Sequence, residues 1–165
     1  MIYIIAEVLA LLGFILYIYA VIQTNNRSLF RINLLENAIN LIKNLLLGGF
    51  TAVIVQVFGT ISLYLKTKNK FTGYIVYVVV ISQIIVGLLV NNKGYLGLLP
   101  IIASSSYYFL ITKINSNIKI KLLLASNLMI WVIYYIIIKD YVGALTNTGI
   151  ALFTLIVAIR QTIKE

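Results

Sequence analysis

The chain has 165 residues, of which 62% are hydrophobic and 10% charged, with a mean hydropathy of +1.05; a soluble domain of this size cannot bury so much apolar side chain. The formal net charge of +9 does not point to nucleic acid, because the basic residues sit in short connectors between apolar runs, where lipid headgroups account for them. Cysteine and histidine are both absent, which excludes a disulfide scaffold, a thiolate nucleophile and any His-containing metal site.

The pattern predicts seven membrane-spanning helices, over about 2–23, 32–47, 50–66, 71–90, 95–112, 119–138 and 141–160. The first lacks the basic start and the small-residue cleavage site of a secretory leader and reads as a retained helix. The second and third form one apolar stretch interrupted by Gly48-Gly49. As a single helix this stretch would be about 52 Å long at 1.5 Å per residue, against a hydrocarbon core of about 30 Å. A turn at the glycines, where positive φ is cheap, resolves it into two.

With seven spans, Arg27, Arg31, Lys66, Lys68, Lys70, Lys113, Lys119, Lys121, Arg160 and Lys164 fall on one side, while Lys93 and Lys139 fall on the other. Basic residues collect in the cytoplasm, so this bias predicts a cytoplasmic C-terminus and an N-terminus outside. Lys43 falls within a span, toward its outer end, where its long side chain can snorkel to the headgroups.

Shifting the chain against itself by 91 residues lays the first three helices over the last three. Glu36 then lies over Asn127, Gln56 over Asn147, Asn40 over Trp131, and the Gly48-Gly49 turn over Lys139-Asp140. The fourth helix has no counterpart. The plan is therefore 3+1+3, with a first three-helix bundle (1–70), a linker helix (71–92) and a second three-helix bundle (93–165). An odd linker leaves both triplets facing the same way, as parallel repeats about an axis along the membrane normal.

The stretches "LLGFILYIYAVIQTNNRSLFRINLL", "GYLGLLPIIASSSYYFLITK" and "YVGALTNTGIALFTLIVAIR" resemble the YgjV-type bacterial inner-membrane protein family over nearly the whole chain. The 3+1+3 pattern is similar to the wider SWEET and PQ-loop group of sugar facilitators and vitamin-precursor transporters. The chain departs from that group in having no Pro-Gln dipeptide: its only proline is Pro100, and Leu9 stands at the matching place in the first helix. The resemblance implies that the paired amides Gln56 and Asn147 contact a solute.

The polar residues of the second helix point the same way. Asn33, Asn37, Asn40 and Asn44 recur at spacings of four, three and four, which puts them on one stripe. That stripe either lines a cavity or serves as interhelical glue. Glu36 is a candidate coupling site, with a salt bridge to Arg31 as its alternative. Trp131 offers an aromatic face opposite the amides, or is a packing residue. Ser104-Ser105-Ser106 after Pro100 reads as a packing contact or as part of a proline hinge for gating. No histidine base serves these serines, and the four acids are Glu7, Glu36, Asp140 and Glu165, so no enzyme is expected.

The expectation is thus an all-α, SWEET-like membrane protein of the bacterial inner membrane. It would be a transporter or facilitator of a small polar solute, binding it through Gln56, Asn147, Asn40, Trp131 and Asn127, with Glu36 and Pro100 as coupling or gating residues. Its partners are the lipid bilayer, a small-molecule solute and a second copy in a homo-oligomer, with no nucleic acid, cofactor or metal. The competing reading is a non-transporting membrane protein such as an immunity factor, an assembly partner or a substrate-binding subunit.

Overall fold

A computed structural model describes residues 2–163; Lys164 and Glu165, counted among the charges above, lie outside the described residues. The chain forms α1 (Ile2–Val21), α2 (Asn26–Leu46), α3 (Phe50–Thr67), α4 (Tyr74–Leu89), α5 (Leu98–Leu110), α6 (Asn117–Ile137) and α7 (Tyr141–Thr162), with a 3-10 turn at Gly94–Gly97 leading into α5. No strand occurs among the described residues.

The starts of the second, fourth and fifth helices differ from the hydropathy reading by three residues or more, the fourth beginning at Tyr74 rather than at 71. The second helix starts at Asn26 rather than near residue 32, because the side chain of Asn25 caps it, accepting the Arg27 backbone N–H at 2.8 Å. Its first turn is polar and so carries no apolar signal. The fifth helix is shorter than expected, because Gly94–Gly97 are wound as a 3-10 turn. Pro100 consequently falls in the first turn of α5, where a missing N–H costs little, and not in the middle of a long helix.

The turn between α2 and α3 uses positive φ at Gly48 (69°), and the turn between α6 and α7 uses it at Lys139 (64°). The residue after each starts a helix with nearly the same backbone: Gly49 at φ −86°, ψ 68° and Asp140 at φ −85°, ψ 76°. Asp140 adds a side-chain cap, its Oδ1 accepting the Gly143 N–H at 2.8 Å.

Hydrogen bonds between connectors show that the helices alternate in direction. At one end Asn26 donates to the Asn115 carbonyl and Lys66 to the Ile111 carbonyl, both at 3.0 Å. At the other end Asn92 donates to the Gly48 carbonyl at 3.0 Å, and Lys43 pairs with Asp140. The basic connectors therefore share one end, and Lys93 and Lys139 stand at the other.

Six helices close into a ring: α1 packs on α2, α2 on α3, α3 on α5, α5 on α6, α6 on α7, and α7 on α1. The fourth helix packs against α3 and α5 from outside. It buries Val76, Val79, Val80, Gln83 and Gly87 on one face and leaves Tyr77, Ile81, Ile85 and Leu88 exposed on the other. Gln83 fixes it, donating to Ser105 Oγ at 3.0 Å. The two triplets are thus joined along two seams, α3–α5 and α7–α1.

Helices α1, α3, α6 and α7 are long and apolar enough to cross a membrane, and α4 is a shorter apolar helix. Large apolar side chains such as Ile15, Ile61, Ile85, Met129, Ile133, Leu152 and Ile159 point out of the ring, which water would penalise and lipid would not. The second helix is long enough at 21 residues, but its polar stripe turns inward.

Candidate functional site

A cavity lies inside the ring, walled by side chains from all six ring helices and none from α4. It offers about 60 Å³ to the centres of water-sized molecules, room for a small solute or several waters. Its wall includes Asn33, Glu36, Asn37 and Asn40 from α2, Gln56 from α3, Ser104 from α5, Asn127 and Trp131 from α6, and Asn147 from α7. Every residue expected to bind solute is on this wall, and so is Glu36. Pro100 is not.

The amide stripe divides its work. Asn37 and Asn44 are spent on α3. The first donates to the Gln56 carbonyl at 2.7 Å and to Thr60 Oγ1 at 2.9 Å, and the second donates to the Gln56 side-chain oxygen at 3.1 Å. These are interhelical bonds of the kind that fix a membrane helix pair. Asn40 donates to the Glu36 carboxylate. By contrast, Asn33 and Asn147 make no side-chain hydrogen bond with any described residue, and the Asn127 oxygen is buried without a partner. Cavity lining and glue are both true, for different members of the set.

Charge placement corrects two expectations. Lys43 does not snorkel: its side chain is 2% exposed, its ammonium lies 2.9 Å from Asp140 Oδ2 and 3.9 Å from the centre of the Tyr135 ring. Lys43 lies two turns along α2 from Glu36, and its ammonium is held by Asp140 at the α6–α7 turn and by the Tyr135 ring. Nor does Glu36 pair with Arg31, which points outward and is exposed. Lys43–Asp140 is the one ion pair among the described residues.

The aromatic wall is larger than expected. Trp131 packs against Tyr134 and Tyr135 with ring centres 5.8 Å and 5.6 Å away, and Tyr17, Tyr107 and Tyr108 complete the lining. Hydropathy gives a tyrosine no address, so these three were missed. One signal was available for Tyr17. It continues the buried stripe Ala6, Ala10, Gly13 along α1, at the spacing of a single helix face. Gly59 makes room for the Tyr108 hydroxyl, which a Cβ there would strike.

The polar groups in the apolar segments have these destinations. Ser105 holds Gln83, Ser106 bonds back to the Ile102 carbonyl at 2.7 Å, and Ser104 lines the cavity. Tyr3, Tyr74 and Tyr141 are exposed at helix ends, as an interfacial belt requires.

A ring of antiparallel helices with an apolar exterior and a polar interior defines a multi-pass α-helical membrane protein. The chain belongs to the Imp-YgjV family of bacterial inner membrane proteins, which it matches over residues 4–165. Its place is therefore the bacterial inner membrane. No curated protein and no solved structure matches it.

Proposed function

We propose that this protein is a transporter or facilitator of a small polar solute, which crosses between α1–α3 and α5–α7. The observation that carries this reading is the composition of the cavity wall. Amides from both halves of the chain face one cavity, and three of them have hydrogen-bonding capacity that no other described residue takes up. Amide groups are costly within a bilayer and are retained where they serve a pathway. A protein whose amides served helix packing alone would spend all of them as Asn37 and Asn44 are spent.

The 3+1+3 repeat belongs to this proposal and gives the pathway its symmetry. Helices α2 and α6 each have 21 residues, and their first residues, Asn26 and Asn117, are 91 apart. These two asparagines are bonded to each other, with Asn117 donating to Asn26 Oδ1 at 2.7 Å. Equivalent residues touch where a two-fold axis passes between them. Exchanging α1–α3 for α5–α7 also carries every neighbouring pair of the ring onto another neighbouring pair. The six helices close as one ring and not as two separate three-helix bundles, so the symmetry of the plan stands without a SWEET-like pair of bundles.

Orientation follows from charge: the basic end, with the C-terminus, is cytoplasmic. Reporter fusions should place the 68–70 connector inside and the Lys93 connector outside; a cytoplasmic Lys93 would sink the proposed topology. A thermal-shift screen of the purified protein against sugars, nucleosides, vitamins and amino acids tests the function. At least one class should stabilise it saturably, and the absence of any such class would favour the non-transporting reading.

A further inference from the structure

We propose that the cavity binds a small organic ammonium ion, with the Glu36 carboxylate as its counter-charge and the Trp131 ring as its aromatic wall. The inference rests on the solute-pathway reading above and names the solute's charge.

Its first support is an acid with no cation. Glu36 is 8% exposed and faces the cavity, and its one hydrogen-bond partner among the described residues is the neutral amide of Asn40. Lys43, two helical turns away on the same face, is already engaged by Asp140 at 2.9 Å. Among the described residues no lysine or arginine lines the cavity. A buried carboxylate without a partner is expensive, and a carboxylate within a membrane that lacks an internal counter-ion marks a functional position.

The second support is the chemistry of the remaining wall. Asn33 Oδ1, Asn127 Oδ1 and the Tyr107 hydroxyl are buried without partners among the described residues, and all three residues line the cavity. Carboxylate, amide and phenol oxygens accept N–H donors, and an ammonium group supplies up to three of them. Aromatic faces attract the same charge. The protein already uses this contact one step away, where the Lys43 ammonium lies 3.9 Å from the centre of the Tyr135 ring. A metal ion such as sodium would gain the oxygens but waste the rings. An alkylammonium uses both.

Trp131 is the only tryptophan of the chain, so its emission reports on the cavity without any label. The full-length protein in lipid vesicles that contain no other protein should be titrated with n-butylammonium chloride, n-butanol, sodium butyrate and sodium chloride, at constant ionic strength. Butylammonium alone should change Trp131 emission saturably. Glu36→Gln, which keeps the shape and removes the charge, should weaken that binding by roughly tenfold to a hundredfold, the range of a charge-assisted hydrogen bond. Equal binding by wild type and Glu36→Gln, an equal response to butanol or to sodium chloride, or no saturable response to butylammonium each overturns the inference. The wild-type arms decide it even where the variant is poorly folded. A neutral solute that binds wild type and is lost in Asn147→Leu would remove the ammonium while keeping the transporter reading.

Discussion

Asp140→Ala should destabilise the protein by about 4–6 kcal/mol, the sum of a broken buried ion pair at about 3–5 and a lost helix cap at about 1. The variant strands the Lys43 ammonium, which is almost wholly buried, and removes the acceptor for the Gly143 N–H. Asp140→Asn keeps the cap and loses only the charge, so it should be milder. Pairing it with Lys43→Met should recover most of the loss, because neither charge is then left buried alone. Unfolding of the four proteins in detergent measures the cycle. If the double variant is no more stable than the worse single one, the pair does not hold α2 to the α6–α7 turn as described.

Asn147→Leu should weaken solute binding by roughly tenfold or more, since a solute hydroxyl or amide left without its partner costs about 1–3 kcal/mol. The side chain makes no hydrogen bond with any described residue, so this variant should leave stability nearly unchanged. Gln56→Leu should weaken binding as well, but at a further cost in stability, because Asn44 donates to the Gln56 side chain at 3.1 Å and would lose its acceptor. The double variant should bind little worse than either single one, as both amides serve one ligand. Normal binding in both singles removes these residues from the site.

How much of this was legible in sequence depends on what each residue costs in lipid. Gln56, Asn127 and Asn147 stand out because an amide within an apolar run is penalised unless protein or water receives it, and all three reach the cavity. The glycine at position 48 stands out because a turn between two short helices needs its φ. Tyrosine carries no such mark, being equally suited to a headgroup belt, a core and a cavity wall, so Tyr107 and Tyr108 were invisible. The start of α2 was hidden by its polar first turn. The Lys43–Asp140 pair joins residues 97 apart, from the two halves of the chain, and no periodicity along one helix encodes a partner on another.

The central claim, that a polar cavity inside the ring is open to a solute, can be tested directly because the chain contains no cysteine. Single cysteines placed at Asn127, Asn147 and, as a lipid-facing control, Ile85 should be exposed in intact membranes to a small water-soluble methanethiosulfonate reagent. The account predicts that the Asn127 and Asn147 positions react well above the Ile85 background, and that a stabilising solute from the screen protects them. Labelling at both positions no faster than at Ile85 would contradict it.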